Sequence, residues 1–197
     1  IWTDALREVK NTKSRFFSLF LLSALAVSFL AGLRTTAPDM QHSAGLYFDE
    51  TQMMDLHILS TLGLTEDDVA ALSSRSELAQ VEGAYTVDAM VPLSSGDIIV
   101  KTLSYREDGL NRPTLTEGRM PVSSNECLLD DALLDDSLHI GDTITLDPGS
   151  GDMEGALAHT EYTIVGTARS PLYISVDRGT TTLGSGRVAA YLLIPEE

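Results

Sequence analysis

RFFSLFLLSALAVSFLAGLR, Arg15 to Arg34, sets eighteen uncharged residues between two arginines. Whether this stretch is a membrane helix, a cleaved leader or the core of a soluble domain decides the fold of everything after it. From Phe16 to Leu33 there is no Pro, Asn or Gln, and only Ser18, Ser23 and Ser28 are polar. At about 1.5 Å per helical residue the run reaches roughly 27 Å, close to the hydrocarbon thickness of a bilayer. Serine hydroxyls can return to the carbonyl of the preceding turn, which makes them cheap in lipid. Apolar residues occupy every side of the helix, so no wet face remains for an amphipathic role in a soluble domain.

A cleavable signal peptide shares the basic start and apolar middle, and Ala24-Leu25-Ala26 or Ala31-Gly32 offers small-residue cleavage positions. Against cleavage, fifteen residues precede the run, and the run exceeds a usual signal core. The anchor reading is therefore preferred over the signal and over a buried soluble helix. Arg7, Lys10, Lys13 and Arg15 outnumber Asp4 and Glu8 before the run. By the positive-inside rule the N-terminus is cytoplasmic and residues 34–197 are extracytoplasmic, at the plasma membrane. Residues 1–15, with Leu6 and Val9 among charges, read as an amphipathic segment on the cytoplasmic surface. A chain that opens on Ile and closes on IPEE reads as a piece of a longer protein.

The outer part carries nine basic and 27 acidic side chains, a charge of -18. So acidic a body repels phosphate backbones, which excludes nucleic acid as a partner. One cysteine, Cys127, excludes an internal disulfide framework.

Beyond the run, Arg34–Glu50 contains Pro38 and small polar residues, and predicts an exit loop followed by a short helix. Met53–Thr61 (MMDLHILST) alternates as a strand. Thr65-Glu66-Asp67-Asp68 opens a helix that Thr65 caps, with Val69, Leu72 and Leu78 on its buried side. Gln80–Val91 and Asp97–Tyr105 read as strands, the second reached through a turn at Ser94–Gly96. Strand, helix, strand over residues 53–91 makes a compact βαβ unit. Gly109–Pro121 shows turn residues without a period. Glu126–Leu129, Thr143–Leu146, Glu161–Thr167 and Arg187–Ile194 read as strands, Tyr173–Val176 as a weaker one, and Asp130–Leu138 as a short helix. Pro148–Gly155 reads as a hairpin tip or insertion.

A search for catalytic chemistry finds little. No Walker loop is present. His42, His57, His139 and His159 are scattered, with no i,i+4 pair for zinc. Cys127 lies in an apolar strand pattern, where packing explains it better than nucleophilic catalysis. Asp130, Asp131, Asp135 and Asp136 lack the alternation and glycine of a calcium loop, and Asp131 and Asp135, four apart on one helical face, read as a solvated surface. The glycines of Gly149–Gly151 and Gly184–Gly186 have no strand-to-helix context for phosphate. The expectation is a non-catalytic chain, with no catalytic, cofactor-binding or metal-binding residues and no cofactor.

The order of motifs resembles a known family. A basic segment and one span end in AGLRTTAPDM (Ala31–Met40), followed by DLHILSTLGLTEDDVAAL (Asp55–Leu72) and VEGAYTVDAMV (Val81–Val91). LTEGRMPVSSNECLLDDALLDDSLHIGDTITL (Leu115–Leu146) and YTIVGTARSPLYIS (Tyr162–Ser175) complete the pattern. Together these resemble the front of an FtsX-like, MacB-type ABC transporter permease of a Gram-positive bacterium. The most specific stretch is EGR-x-P, then NE, LD and IGD-x-I-x-L. The residues supply scaffold reasons for it. Gly118 and Pro121 bracket a tight turn, Asp130 can cap a helix, and Gly141-Asp142 turns the chain so that Ile140, Ile144 and Leu146 face a core.

The resemblance implies an α+β fold: residues 16–33 as a transmembrane helix, then a MacB-like extracytoplasmic core domain over 34–197. That domain would have a βαβ-containing lobe at about 50–103 and 171–197 and a β-rich insertion at about 104–170. It also implies partners: a cytoplasmic ABC ATPase subunit, a second permease copy or homologous half, and the lipid bilayer. The function expected from it is mechanotransmission, in which ATP-driven motion reaches the outer domain to export a lipid- or peptide-like substrate or to regulate an outer partner. The alternatives are a single-pass anchored sensor or binding protein without an ATPase, and an anchored hydrolase.

Overall fold

The computed structural model describes residues 3, 7, 12–94, 96–133, 138–147 and 157–196. Most of the amphipathic segment expected over 1–15 lies outside the described residues, as do the hairpin tip at 148–155, Asp135 and Asp136. The chain forms two units, Ile1–Tyr47 and Phe48–Glu197.

The first unit is dominated by α1, a helix over Lys13–Glu50 that contains the whole apolar run. Its hydroxyls behave as the run requires: Ser18 donates to the Ser14 carbonyl at 2.9 Å and Ser23 to Leu19 at 2.8 Å. No residue of α1 is buried, and Leu19, Leu22, Leu25, Val27, Phe29 and Leu30 all expose more than half of their surface. Such a surface is unfavourable in water and suits lipid.

The exit loop expected after Arg34 is not formed, since α1 continues through Pro38 to Glu50. Proline lacks an N–H, so the carbonyl of Arg34 loses its helical donor. Both residues are exposed, where water can satisfy that carbonyl, and the fixed φ of proline is itself helical. One turn earlier, Thr36 donates to the Gly32 carbonyl at 2.8 Å, and Thr35 reaches Ala31 and Gly32 at 3.2 and 3.1 Å.

The second unit is built on one mixed seven-stranded sheet. Its strands are β1 (Thr86–Val91), β2 (Ile98–Tyr105), β3 (Thr114–Gly118), β4 (Glu126–Asp130), β5 (Thr143–Thr145), β6 (Glu161–Arg169) and β7 (Ala190–Pro195). The order is β1-β2-β7-β4-β6-β3, and β5 also pairs with β6. β1 and β2 form the expected antiparallel hairpin, whereas β2–β7 and β4–β6 are parallel. Strands from both expected lobes are thus hydrogen-bonded into a single sheet.

Period-two alternation divides the core. Cys127, Leu129, Ile164, Ala190 and Leu192 pack on one face, and Leu128, Val165, Tyr191 and Leu193 on the other. β4 and β7 are buried on both faces, which explains their continuous apolar runs. Ile144 and Leu146 join the core as expected, but Ile140 stays 40% exposed. Its neighbour Gly141, at φ +103°, turns the chain there and leaves Ile140 at the rim.

Three further expectations are corrected. Met53–Thr61 is not a strand, because no sheet edge lies in register to give it a ladder; the βαβ unit over 53–91 is therefore absent. Tyr173–Val176 is not a strand either, as that segment belongs to a loop held by side chains. Only Asp131–Leu133 of the expected helix at 130–138 is described as helical, and it is a 3-10 turn.

The turn-rich stretch before Pro121 instead yields β3, fully exposed along one edge of β6. Glycine allows that pairing. A Cβ on Gly118, at φ +80°, would meet the Val165 carbonyl oxygen at 2.4 Å, and one on Gly166 would meet that of Glu117 at 2.6 Å. The helix capped by Thr65 forms, with a capping box between Thr65 and Asp68, but α2 covers only Glu66–Ser73, so it ends before Leu78, and Val69 and Leu72 are half-buried rather than buried.

Candidate functional site

Two places concentrate structure that the sequence does not advertise. The first is the foot of α1, within the second unit. Immediately after Glu50, Arg112 donates its backbone N–H to the Thr51 carbonyl at 2.8 Å, and Asn111 to that of Gln52 at 3.0 Å. The Met54 N–H returns to Asn111 Oδ1 at 3.0 Å. Gln52 (φ 50°) and Asn111 (φ 55°) both adopt left-handed backbone, which asparagine tolerates better than most residues. The 108–112 turn is stiffened from behind. Arg112 donates to the carbonyls of Gly109 and Asp108, each at 3.0 Å, and the Glu82 carboxylate accepts from the Leu110 N–H at 2.7 Å. β3 begins two residues after Arg112, so the end of the helix is bonded to a turn that feeds directly into the sheet.

The second place is a buried ion pair. Asp130, at the end of β4, has no exposed surface, and the Arg178 side chain is 8% exposed. Arg178 Nε donates to Asp130 Oδ2 at 2.6 Å and Nη2 to Oδ1 at 2.9 Å, a bidentate clasp. Nη1 donates to the Ser175 carbonyl. The guanidinium carbon lies 5.3 Å from the Tyr191 ring centroid and 5.7 Å from that of Tyr173, and those two rings stack at 4.9 Å. Tyr191 Oη donates to the Ala168 carbonyl at 3.0 Å and accepts from the Ser170 N–H at 2.9 Å. Burial first, and then the Asp130 charge, push the Tyr191 phenol up. The Asp130 carboxylate, the Arg178 guanidinium and the Tyr191 hydroxyl bond to one another or to loop backbone, so the cluster works as a clasp on the loop between β6 and β7.

Asp130 is expected as a cap, and it does accept from the Ala132 N–H at 3.1 Å. Asp131, expected on a solvated helix face, is instead 15% exposed and pairs with Arg169 at 2.5 Å. Arg178 lies 48 residues and Arg169 38 residues downstream of its partner, too distant for a local pattern to reveal.

Cys127 is fully buried, and desolvation pushes its thiol up to about 12, so it remains protonated and packs as an apolar residue. Ser124 Oγ lies 2.9 Å from His159 Nε2. This pair was not anticipated, since its members are 35 residues apart. No cluster of three metal-ligating side chains occurs among the described residues.

At the surface, Glu126 gathers donors from the turn before β4. Arg119 Nη1 reaches its Oε2 at 2.7 Å, Arg119 Nη2 bonds Oε1, and the Val122 N–H donates at 2.8 Å. The Arg119 hydrogen bond, aided by that N–H, lowers the Glu126 carboxyl from 4.5 to about 2. A depressed folded-state value means stability present above the unfolded value and lost as the pH falls from about 4.5 towards 2. Glu126→Gln is therefore expected to lower the thermal midpoint at pH 7 and to flatten its fall over that acid window. An unchanged acid limb in a pH series of melting curves would contradict the assignment.

No family model, curated protein or solved structure matches the chain. Fold and site together define a mixed α+β protein: one N-terminal helix, long and apolar enough to cross a membrane, and a mixed β-sheet body. By length and composition alone a signal sequence would pass the same test as that helix.

Proposed function

We propose that the chain is the leading part of the permease subunit of an ABC transporter. In this reading residues 16–33 lie in the plasma membrane, and a MacB-like outer domain follows them. The observation that carries the proposal is the unbroken course of α1 from Lys13 to Glu50 into backbone hydrogen bonds with Asn111 and Arg112. A helix closes its own hydrogen bonds and resists axial strain, so it can cross lipid and still bear force. A cleaved leader has no use for helix continuing seventeen residues past Leu33. Motion produced by ATP binding in a separate cytoplasmic subunit would travel along this rod to the turn before β3. The outer body would then expel a lipid- or peptide-like substrate, or change the activity of an outer partner. The chain's own residues are assigned no catalytic step. The Cys127 thiol is buried and protonated, and the Asp130 carboxylate is held by Arg178.

The test is to purify the native gene product from its own membranes with mild detergent. The expected result is a polypeptide with three further apolar spans, accompanied by a subunit carrying a Walker loop. A single-span product without an ATPase would overturn the proposal in favour of an anchored binding protein. A product recovered free in the medium would overturn the anchor itself.

A further inference from the structure

Residues 55–64, between the foot of α1 and α2, carry apolar side chains that the body leaves uncovered. Leu56 is 70% exposed, Ile58 52%, Leu59 75%, Leu62 97% and Leu64 48%. The segment is held at both ends, by the Met54 bond to Asn111 and by the Thr65–Asp68 capping box. Between them, among the described residues, the only hydrogen bonds are local: Gly63 N–H to the Ser60 carbonyl at 3.3 Å and Leu62 N–H to Ser60 Oγ at 3.2 Å. Its first half, Met53–Thr61, has the alternation of a strand and no ladder. Surface-exposed leucines scattered singly need no explanation, but five large aliphatic side chains within nine positions do.

Charge indicates what covers them. Asp49, Glu50, Asp55, Glu66, Asp67 and Asp68 flank the apolar positions, all six are exposed, and residues 49–68 contain no Lys or Arg. We infer that residues 55–64 are a docking segment for a basic, apolar-studded polypeptide on another protein, which adds alongside it as a strand. Main-chain pairing would satisfy the bare backbone, Leu59 and Leu62 would be buried, and the carboxylates would select a cationic partner. A second copy brings the same six negative charges and is repelled. An anionic lipid surface is repelled in the same way. The inference stands apart from the permease proposal, because it needs only this segment's exposure and charge.

The test uses the full chain in phosphatidylcholine nanodiscs, with empty discs as blanks. The probe is a fluorescein-labelled twelve-residue peptide of alternating Val and Lys, compared by anisotropy with its Val and Glu counterpart. The Lys peptide is expected to bind about tenfold or more tightly than the Glu peptide, and to weaken as salt rises. Leu59→Ser with Leu62→Ser, at positions too exposed to affect folding, is expected to cut that affinity about tenfold. Asp55→Asn with Glu66→Gln is expected to reduce both affinity and salt dependence. Equal binding of the two peptides, or unchanged binding by the double serine variant, would overturn the inference. So would two results from Leu62→Cys, whose thiol is accessible while Cys127 is buried: an intermolecular disulfide, showing a second copy, or quenching of an attached fluorophore by brominated lipid, showing the membrane.

Discussion

A chain carrying Leu22→Lys and Leu25→Lys is expected to lose its hold on the bilayer and to appear in the soluble or aggregated fraction. Both positions lie near the middle of the eighteen-residue run and are about 70% exposed, so neither has a protein neighbour to shelter a charge. On translocon-derived scales, exchanging Leu for Lys at a helix centre costs about 3–4 kcal/mol, or about 6–8 kcal/mol for the pair. Lysine snorkelling returns little at the centre, because the stem cannot reach either interface from there. Alkaline carbonate extraction of membranes makes the measurement. Retention of the double variant in the pellet, with the lysines confirmed, would mean that the apolar run is not the anchor. Leu22→Ala with Leu25→Ala, which keeps the run apolar, is expected to remain in the membrane fraction.

Arg178→Met is expected to destabilise the body by about 3–5 kcal/mol, the usual consequence of leaving one member of a buried ion pair uncompensated. Asp130 has no exposed surface through which water could replace the guanidinium. Loss of the Arg178 bond to the Ser175 carbonyl would also loosen the loop between β6 and β7. The companion Asp130→Asn/Arg178→Met removes both charges and is expected to recover more than half of the loss, since the desolvated carboxylate is gone. Urea unfolding of the full chain in detergent, followed by circular dichroism in the β region, checks both. If the single variant unfolds at the wild-type midpoint, the buried clasp is wrong. If the double variant is as unstable as the single, packing of the arginine stem and the tyrosines outweighs the charges.

These two results address different levels of legibility. The apolar run could be read because a helix long and apolar enough to cross a membrane is a local property: length, uniform apolarity and flanking charge are all contiguous in sequence. The helix cap at Thr65 was legible for the same reason, as were β2, β4, β5, β6 and β7, whose side-chain alternation or continuous apolar runs are local. Met53–Thr61 carries the same signal and forms no strand. Alternation marks a segment able to pair, and pairing needs a neighbour in register that the pattern cannot supply. β3 failed in the opposite direction. Its fully exposed residues have no apolar period, and it exists because Gly118 and Gly166 let two backbones approach. Pro38 misled as a helix terminator, since its lost hydrogen bond is affordable on an exposed helix.

The candidate site was the least legible part. Asp130 could be read as a helix cap, and only the return of the chain at Arg178 makes it a buried anion with a bidentate partner. Ser124 and His159, and Thr51 with Arg112, are likewise joined by folding across long separations.

Taken alone, the amino-acid order determined that one helix near the start is apolar on every side, that the following body is acidic and α+β, and that the chain holds no local catalytic motif. Tertiary structure decided which strands pair, that α1 extends to a foot bonded beside β3, which carboxylate is desolvated, and which leucines stay uncovered. The division has one physical cause. Hydrophobicity, charge and helical hydrogen bonding act between near neighbours in sequence, whereas burial and sheet pairing depend on residues brought together from far apart.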